Sequence, residues 1–381
     1  MSENNQNQQI KTLDIPENPL FKSVNFITTK NAPLTRTYFT SHFNSSTNSI
    51  FNIGGTDINC EQPIEISSYN LENQSWENSN VNNENIFNKK ITGHASVLIN
   101  DSNQNKIFVY GGFEEPGEYS SNSYFITPEN MTFTKIEYQK NKKGIIEFPS
   151  KRAYHTVNFD SEHNVVYVYG GTDLNMSNSR KEMFQCVWEF NITNLSWDKI
   201  LLSNYPKEGS PRAHTSIIKG NKLYVFGGII LFKKYTNTMY CIDLTKKTID
   251  KVEYGGSYPK PVAFHSAVEV NEKCFMVYGG LDENYLPLND CYVYFYSTKL
   301  FIKIDIPCLP KLFGQQNVNN GKGSIFIVGG MDNFKYVGDE SLICKEEEVV
   351  KEDKGEEKEN NDKIEMEFKP METVIEIFIK I

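Results

Sequence analysis

The stretch Val166–Gly171 reads Val-Tyr-Val-Tyr-Gly-Gly, a run of β-branched and aromatic residues that ends in two glycines. Similar stretches occur six times, and the first glycines of successive pairs are 57, 59, 57, 52 and 50 residues apart. The paired glycines are Gly54, Gly55, Gly111, Gly112, Gly170, Gly171, Gly227, Gly228, Gly279, Gly280, Gly329 and Gly330. A period near 50 residues is typical of a four-stranded propeller blade, so the sequence predicts six such repeats.

Two further sequence features recur at similar spacings from the glycine pairs. A large apolar residue lies 21 residues after the second glycine in four repeats and 26 residues after it in another. These residues are Trp76, Phe133, Trp197, Ile249 and Phe301. A histidine precedes the apolar run in four repeats, at His94, His155, His214 and His265. We expect the large side chains to fill the space between blades, where they bury the most area, and the glycines to form crowded turns.

These three marks, in this fixed order, resemble the kelch repeat. The resemblance runs from about Phe21 to Cys344. It implies an all-β fold, a six-bladed kelch-type β-propeller with four antiparallel strands per blade and a ring closed by a terminal strand. We label the strands a to d from the innermost to the outermost, so that strand b ends at the glycine pair.

The sequence divides into four parts on this reading. Residues 1–19 are expected to be a disordered, Asn-rich tail and residues 20–344 the propeller. Residues 345–363 are a charged, low-complexity insertion, which we interpret as a solvated loop, with an acidic partner-binding tail as the alternative. Residues 364–381 are predicted to contain a C-terminal strand that pairs with the last blade.

The sixth repeat is incomplete in sequence. Its strand c is predicted at Glu340–Cys344, but Lys351 stands where the large apolar residue of strand d is expected. Two segments are candidates for that strand, Phe21–Phe26 and Phe378–Ile381. The N-terminal one is favoured because the interval from Phe21 to the arginine before the next strand a matches the interval in the third repeat. Either segment would remove the exposed sheet edges.

The candidate binding residues follow from the strand directions. Because strands alternate in direction, the loops that enter strand a and leave strand b open on one face. The resemblance implies that arginines entering strand a contact peptide ligands, which makes Arg36, Arg152 and Arg212 candidates for recognition of acidic groups. Carboxylates shortly after the glycine pairs share this face, namely Asp57, Glu114, Asp173, Asp282 and Asp332. The alternative is that these arginines and carboxylates pair with one another in structural bridges.

Catalytic and metal sites find little support in the sequence. It contains no phosphate-binding glycine loop, no metalloprotease helix motif and no hydrolase nucleophile elbow. The four repeat histidines belong to different blades, and we expect structural roles rather than metal binding for them. No catalytic residue, metal or cofactor is therefore predicted, with a small-molecule or metal-dependent enzyme at the channel mouth as the alternative.

The expected function is a protein-binding platform. The resemblance implies partners such as small GTPases, actin or ubiquitin-ligase components. A net charge of -9 argues against a nucleic-acid partner, because phosphate binding needs a basic surface. The longest apolar stretch, Thr373–Ile381, is too short to span a bilayer. Seven cysteines without a paired spacing indicate reduced thiols and a cytoplasmic location.

Overall fold

The computed structural model describes residues 10–15, 18, 20–57, 66–79, 91–100, 105–115, 118–128, 132–173, 185–306, 308–332 and 372–380. These residues form strands, turns and loops, and the one helical segment among them is the short 3-10 turn Leu231–Lys233. In the described ranges no helix is long and apolar enough to cross a membrane.

Two strands precede the first blade, β1 (Ile10–Asp14) and β2 (Phe21–Thr28). Five sheets then follow in chain order. Blade 1 contains β3 (Thr40–Asn44), β4 (Ser49–Ile53), β5 (Ile66–Asn70) and β6 (Ser75–Ser79). Blade 2 contains β7 (Ala95–Asn100), β8 (Asn105–Tyr110), β11 (Ser123–Thr127) and β12 (Thr132–Lys135), with the ribbon β9 (Phe113–Glu115) and β10 (Glu118–Tyr119) between its inner and outer halves. Blade 3 contains β13 (Thr156–Asp160), β14 (Val165–Tyr169), β15 (Cys186–Asn191) and β16 (Ser196–Leu201).

Blade 4 contains β17 (Thr215–Lys219), β18 (Lys222–Phe226), β19 (Met239–Asp243) and β20 (Thr248–Val252). Blade 5 contains β22 (Ser266–Asn271), β23 (Cys274–Tyr278), β24 (Cys291–Phe295) and β25 (Leu300–Ile304), and the two-residue β21 (Gly255–Gly256) pairs in parallel with β25. Blade 6 combines β26 (Gln316–Asn319), β27 (Ser324–Val328) and β28 (Thr373–Ile379) with β2 and β1. The predicted six-bladed, all-β propeller is therefore confirmed.

Both ends of the chain close the ring. In blade 6 the strand order is β26, β27, β28, β2 and β1, so the N-terminal segment supplies strand d, as favoured from its spacing. The C-terminal strand β28 pairs with β27 on one side and with β2 on the other. The sheet therefore ties the two ends of the chain together by backbone hydrogen bonds along a full strand.

Two expectations about blade 6 differ from the structure. Strand c was predicted at Glu340–Cys344, which lies outside the described residues, but the position next to β27 belongs to β28. The predicted disordered tail, residues 1–19, contains β1, which pairs along its whole length with β2. Alternating burial along β1 suits an outer strand with one face on the sheet. The charged range 345–363 also lies outside the described residues.

Six apolar clusters join neighbouring blades. Trp197 of strand d in blade 3 is fully buried and packs with Phe108 of blade 2 and Phe190 of its own blade. Phe301 of blade 5 packs in the same way on Phe226 of blade 4, with ring centroids 5.0 Å apart. The equivalent residues Trp76, Phe133 and Ile249 each lie in a cluster shared with the preceding blade. These large side chains therefore pack between neighbouring blades.

Candidate functional site

The loops that enter strand a and the loops that leave strand b meet on one face, which we call the upper face. In every blade, an isolated bridge joins the residue three positions before strand a to the residue after the glycine pair. These bridges are Thr37–Thr56, Thr92–Phe113, Ala153–Thr172, Arg212–Ile229, Ala263–Leu281 and Phe313–Met331. The two sets of loops that the sequence analysis assigned to one face are therefore adjacent there.

Three aromatic rings close the central channel below the upper face. Tyr38 of blade 1, Tyr154 of blade 3 and Phe264 of blade 5 meet at the axis, with ring centroids 5.3 Å, 5.3 Å and 5.4 Å apart in the three pairs. The equivalent residues of the other blades are small: Gly93, Ala213 and Gly314. This alternation of large and small residues lets three rings fill a space that six would overfill. The channel is therefore blocked at this level.

A belt of backbone hydrogen bonds holds the aromatic plug in place. We call the three aromatic residues and their three small equivalents the plug residues. Each plug residue from blade 2 to blade 6 donates its N–H to the carbonyl oxygen of the plug residue in the preceding blade, at 2.8–3.0 Å. All six residues have positive φ, including Tyr38, Tyr154 and Phe264 at 56° each. That conformation costs a bulky residue free energy and persists only where the surrounding structure enforces it. The belt and the packed rings supply that enforcement.

A cavity of about 280 Å³ lies beneath the plug, along the first residues of the six innermost strands. Its walls carry hydroxyl, amide and imidazole groups and no Asp, Glu, Lys or Arg side chain. Ser96 Oγ lies 2.5 Å from Thr40 Oγ1 and 2.6 Å from His42 Nε2. Burial lowers the pKa of His42 to about 4, so the cavity is uncharged at neutral pH. Among the residues that the structure describes, no group of three or more His, Cys, Asp or Glu side chains converges on a metal position.

The candidate arginines fall into two groups. Arg36 and Arg152 are buried, with 5% and 1% of their surface exposed, and each donates from Nη1 to the carbonyl oxygen of the first glycine of its own blade, Gly54 or Gly170. Arg212 is half-buried and lies one position closer to strand a, because its backbone makes the bridge that Thr37 and Ala153 make in the other two blades. In this conformation only Arg212 can offer its guanidinium to a partner.

The candidate carboxylates differ in the same way. Glu114 accepts hydrogen bonds from Ser120 Oγ and Asn122 Nδ2 at 2.6 Å and 2.5 Å, within the b–c loop of its blade. Asp282 caps the b–c loop of blade 5 through the N–H groups of Asn284 and Leu286, at 2.9 Å and 3.0 Å. Asp57 is buried, Asp173 is half-buried and Asp332 is exposed. Glu114 and Asp282 therefore hold the b–c loops of blades 2 and 5 in place.

The loop that Asp282 holds presents two apolar side chains to solvent. Tyr285 is 41% exposed and Leu286 is 59% exposed. The Tyr285 ring also contacts Tyr235 of the b–c loop in blade 4, with centroids 6.2 Å apart. Sequence reasoning missed both the plug and this pair. In blades 2 to 5 the residue at the plug position stands directly before the repeat histidine, and large and small residues alternate there. Nothing in the sequence marks Tyr285 and Leu286 as exposed.

The repeat histidines fasten adjacent blades. His214 illustrates the arrangement: a Cβ at Gly170 of blade 3 would lie 2.6 Å from its Cε1, and a Cβ at Gly228 of blade 4 would lie 2.8 Å from its Cβ. Both glycines therefore need to lack a side chain. Nε2 of His214 lies 3.1 Å from Thr156 Oγ1 of blade 3. His94 and His265 make the same contact with Thr40 and Thr215, which fits the structural role predicted for them.

Burial keeps these histidines neutral. It lowers the pKa of His94, His214 and His265 to about 3, with neighbouring histidines adding to the effect at His94 and His214. The unfolded chain takes up these protons below about pH 6.5, whereas the folded protein does not until about pH 3. We therefore expect these histidines to lower the folding stability as the pH drops below about 6.5, and their contribution to level off below about 3.

Blade 6 supplies the matched replacement, because Gln315 occupies the histidine position and donates from Nε2 to the carbonyl oxygen of Tyr278 at 2.7 Å. We expect the double variant His214→Gln, His265→Gln to fold at neutral pH and to lose less stability on acidification than the unaltered protein. Thermal unfolding followed by circular dichroism at pH 7 and pH 5 measures this. An equal loss in both proteins would contradict the assignment of the acid sensitivity to these histidines.

Comparison with known families and proteins extends these observations. The family described as Attractin/LZTR1 beta-propeller matches residues 4–229, and the KLHDC2/KLHL20/DRC7 Kelch-repeats domain matches residues 178–343. The chain is similar to rat Kelch domain-containing protein 10, with 24% identity over 50% of this chain and 43% of that protein. It is also similar to mouse Kelch domain-containing protein 1, with 21% identity over 61% of each.

A shorter similarity links the chain to the Rho GTPase-activating protein gacHH of Dictyostelium discoideum, with 35% identity over 26% of this chain and 7% of that protein. The chain thus spans less than two thirds of the length of each of these three relatives. The family matches together run along most of the sequence, from the N-terminal strands to the sixth repeat.

Proposed function

This chain belongs to the kelch-repeat β-propeller family, and we propose that it is a non-catalytic protein-binding platform that uses its upper face. The observation that carries the proposal is the exposed pair Tyr285 and Leu286 on a loop fixed by Asp282. An aromatic and an aliphatic side chain held in place can enter a partner's pocket without a large loss of conformational entropy. The plug beneath them makes this face a closed surface.

Charged groups around this pair add specificity. Lys233 and Lys234 of the neighbouring b–c loop are exposed, Arg212 is half-buried and Asp332 is exposed on the blade beyond. Charges at the rim of an interface mainly steer association and reject wrong partners, while apolar anchors supply most of the affinity. We therefore assign the candidate residues Arg212 and Asp332 a rim role, and Tyr285 and Leu286 the role of anchors.

The family resemblance supports three partner classes, small GTPases, actin and ubiquitin-ligase components. The similarity to a protein named for Rho GTPase activation makes a component of a small-GTPase pathway the first to test. We also propose a cytoplasmic location, supported by the free thiols of the five cysteines that the structure describes.

We expect the double variant Tyr285→Ser, Leu286→Ser to lose a stoichiometric protein partner that the unaltered protein captures from the native cell. Quantitative mass spectrometry of affinity-purified material measures the loss, which we expect to be about 30-fold or more, as for removal of anchor residues. Leu201→Ser, which changes a 65% exposed residue on the outer strand of blade 3, is the matched control and should keep the partner. Equal capture by the double variant would remove this pair from the interface.

A further inference from the structure

The connection from blade 2 to blade 3 is longer than the equivalent connections from blade 3 to blade 4 and from blade 4 to blade 5. It runs from residue 136 to residue 155, which is 20 residues, whereas the connections 202–214 and 253–265 have 13 residues each. The additional residues are folded into a compact turn. Asn141 donates its N–H to the carbonyl oxygen of Ile145, and Gly144 donates to that of Asn141, both at 2.8 Å.

Three side chains anchor this connection to the blades. Asn141 is buried and donates from Nδ2 to the carbonyl oxygen of Trp197 at 3.1 Å and to Glu147 Oε1 at 2.8 Å. Tyr138 donates to the carbonyl oxygen of Ser121 at 3.1 Å. Tyr110 donates to the carbonyl oxygen of Pro149 at 2.7 Å. The connection is therefore ordered before any partner arrives, which reduces the entropy lost on binding.

The anchored turn exposes apolar side chains. Ile145, Ile146 and Phe148 are 48%, 56% and 44% exposed. Phe148 is held from behind by Tyr138, with ring centroids 5.2 Å apart. Large apolar residues clustered on a rigid support, outside any requirement of the fold, mark an interaction site.

The net charge of this segment is opposite in sign to that of the whole protein. Residues 135–151 contain five lysines and two glutamates, a net charge of +3, whereas the chain carries -9. The lysines are all exposed: Lys135, Lys140, Lys142, Lys143 and Lys151. The Glu147 carboxylate accepts a hydrogen bond from Asn141 and forms an ion pair with Lys143, whose Nζ lies 3.4 Å from Glu147 Oε1. A partner that complements this surface carries carboxylates beside apolar side chains.

We propose that the segment Lys135–Lys151 is a docking site for an acidic peptide segment of another protein, with Ile145, Ile146 and Phe148 receiving its apolar side chains. This inference rests on the proposed role as a protein-binding propeller, but it uses residues on the other side of the ring from Tyr285 and Leu286. The two tests can therefore fail separately. A peptide is favoured over an anionic membrane because the rest of this acidic protein is repelled by such a surface.

The probe is a short fluorescein-labelled peptide in which glutamate alternates with leucine and phenylalanine, and binding to the full chain is measured by fluorescence anisotropy. We expect saturable binding that weakens with added salt, as screening of surface charges requires. The double variant Ile146→Ser, Phe148→Ser should bind about 30-fold more weakly, in the range for lost anchor residues. The double variant Lys140→Glu, Lys142→Glu should also weaken binding.

The connection 253–265 supplies matched controls. Tyr258→Ser changes a 68% exposed aromatic residue and Lys260→Glu an exposed lysine, and neither should alter binding. The variants change exposed side chains, and an unchanged melting temperature confirms that each is folded. Failure of the acidic peptide to bind, equal binding of a peptide with lysine in place of glutamate, or undiminished binding by the apolar variant would each overturn the proposal. Binding to phosphatidylserine vesicles without peptide binding would assign the site to a membrane instead.

Discussion

Replacement of Ile377 by aspartate is expected to abolish cooperative folding. Ile377 lies in β28, is fully buried, and stands opposite Val24 of β2 and Ile325 of β27. Its side chain packs in the cluster that joins blade 6 to blade 5. An unpaired carboxylate there costs several kcal/mol, which is comparable to the total stability of about 5–15 kcal/mol of a typical domain.

Urea unfolding followed by tryptophan fluorescence and far-ultraviolet circular dichroism measures this effect. The control is Glu372→Ala, directly before the same strand, where the side chain is exposed and the backbone carbonyl continues to accept from the Thr29 N–H. We expect the control to unfold like the unaltered protein. A cooperative transition of the Ile377→Asp variant within about 1 kcal/mol of the unaltered protein would mean that the ring does not depend on this strand.

Trp197→Ala is expected to lower the free energy of unfolding by about 3–5 kcal/mol, the usual range for removal of a large buried aromatic side chain. Trp197 is fully buried, and its ring lies 4.8 Å from Phe190 and 5.4 Å from Tyr110, centroid to centroid. Its backbone carbonyl also accepts from Asn141, so the substitution removes packing but leaves that hydrogen bond. The cavity therefore opens between blades 2 and 3.

Trp197→Phe is the matched control, because phenylalanine occupies the equivalent position at Phe133 and Phe301. It should cost less than the alanine variant, since most of the apolar contact is kept. Denaturant unfolding of both variants gives the two free energies. Equal losses, or a loss below about 1 kcal/mol for Trp197→Ala, would contradict the account of how the blades are joined.

The repeat architecture could be predicted from the sequence because each blade repeats the same physical requirements. A glycine pair is needed where the histidines of two blades approach the backbone, as His214 does at Gly170 and His155 at Gly171, and a bulky residue such as Trp197 is needed between sheets. Because these requirements are local to each blade, they produce a periodic pattern in the sequence. The N-terminal strand of blade 6 could be placed for the same reason, since its spacing to the next blade repeats.

Strand order in blade 6 could not be predicted in the same way. Glu340–Cys344 and β28 both contain apolar residues that are common in strands, but only pairing with β27 and β2 decides which one occupies the third position. Such pairing is a long-range property that a single strand does not encode. The strand β1 was missed because its five residues, Ile10–Asp14, follow an asparagine-rich stretch.

The adjacency of the two sets of loops could be predicted from the strand directions, but the exposure of the candidate arginines could not. The upper face is where the two sets of loops meet, but Arg36 and Arg152 turn inward while Arg212 does not. One residue decides the difference: an extra residue separates Arg152 from its histidine, His155, compared with Arg212 and His214. The proposed anchors Tyr285 and Leu286 are exposed on a loop whose conformation is held by hydrogen bonds to Asp282, and their exposure depends on the tertiary structure.

The most direct measurement for the central claim is hydrogen exchange, by mass spectrometry, of the protein with and without its captured partner. We predict that binding slows exchange in the upper-face loops of blades 4 and 5, at residues 229–236 and 281–289. The opposite face, represented by the turns at residues 161–164 and 244–247, should exchange as in the free protein. Protection confined to those turns, with the upper face unchanged, would contradict the account.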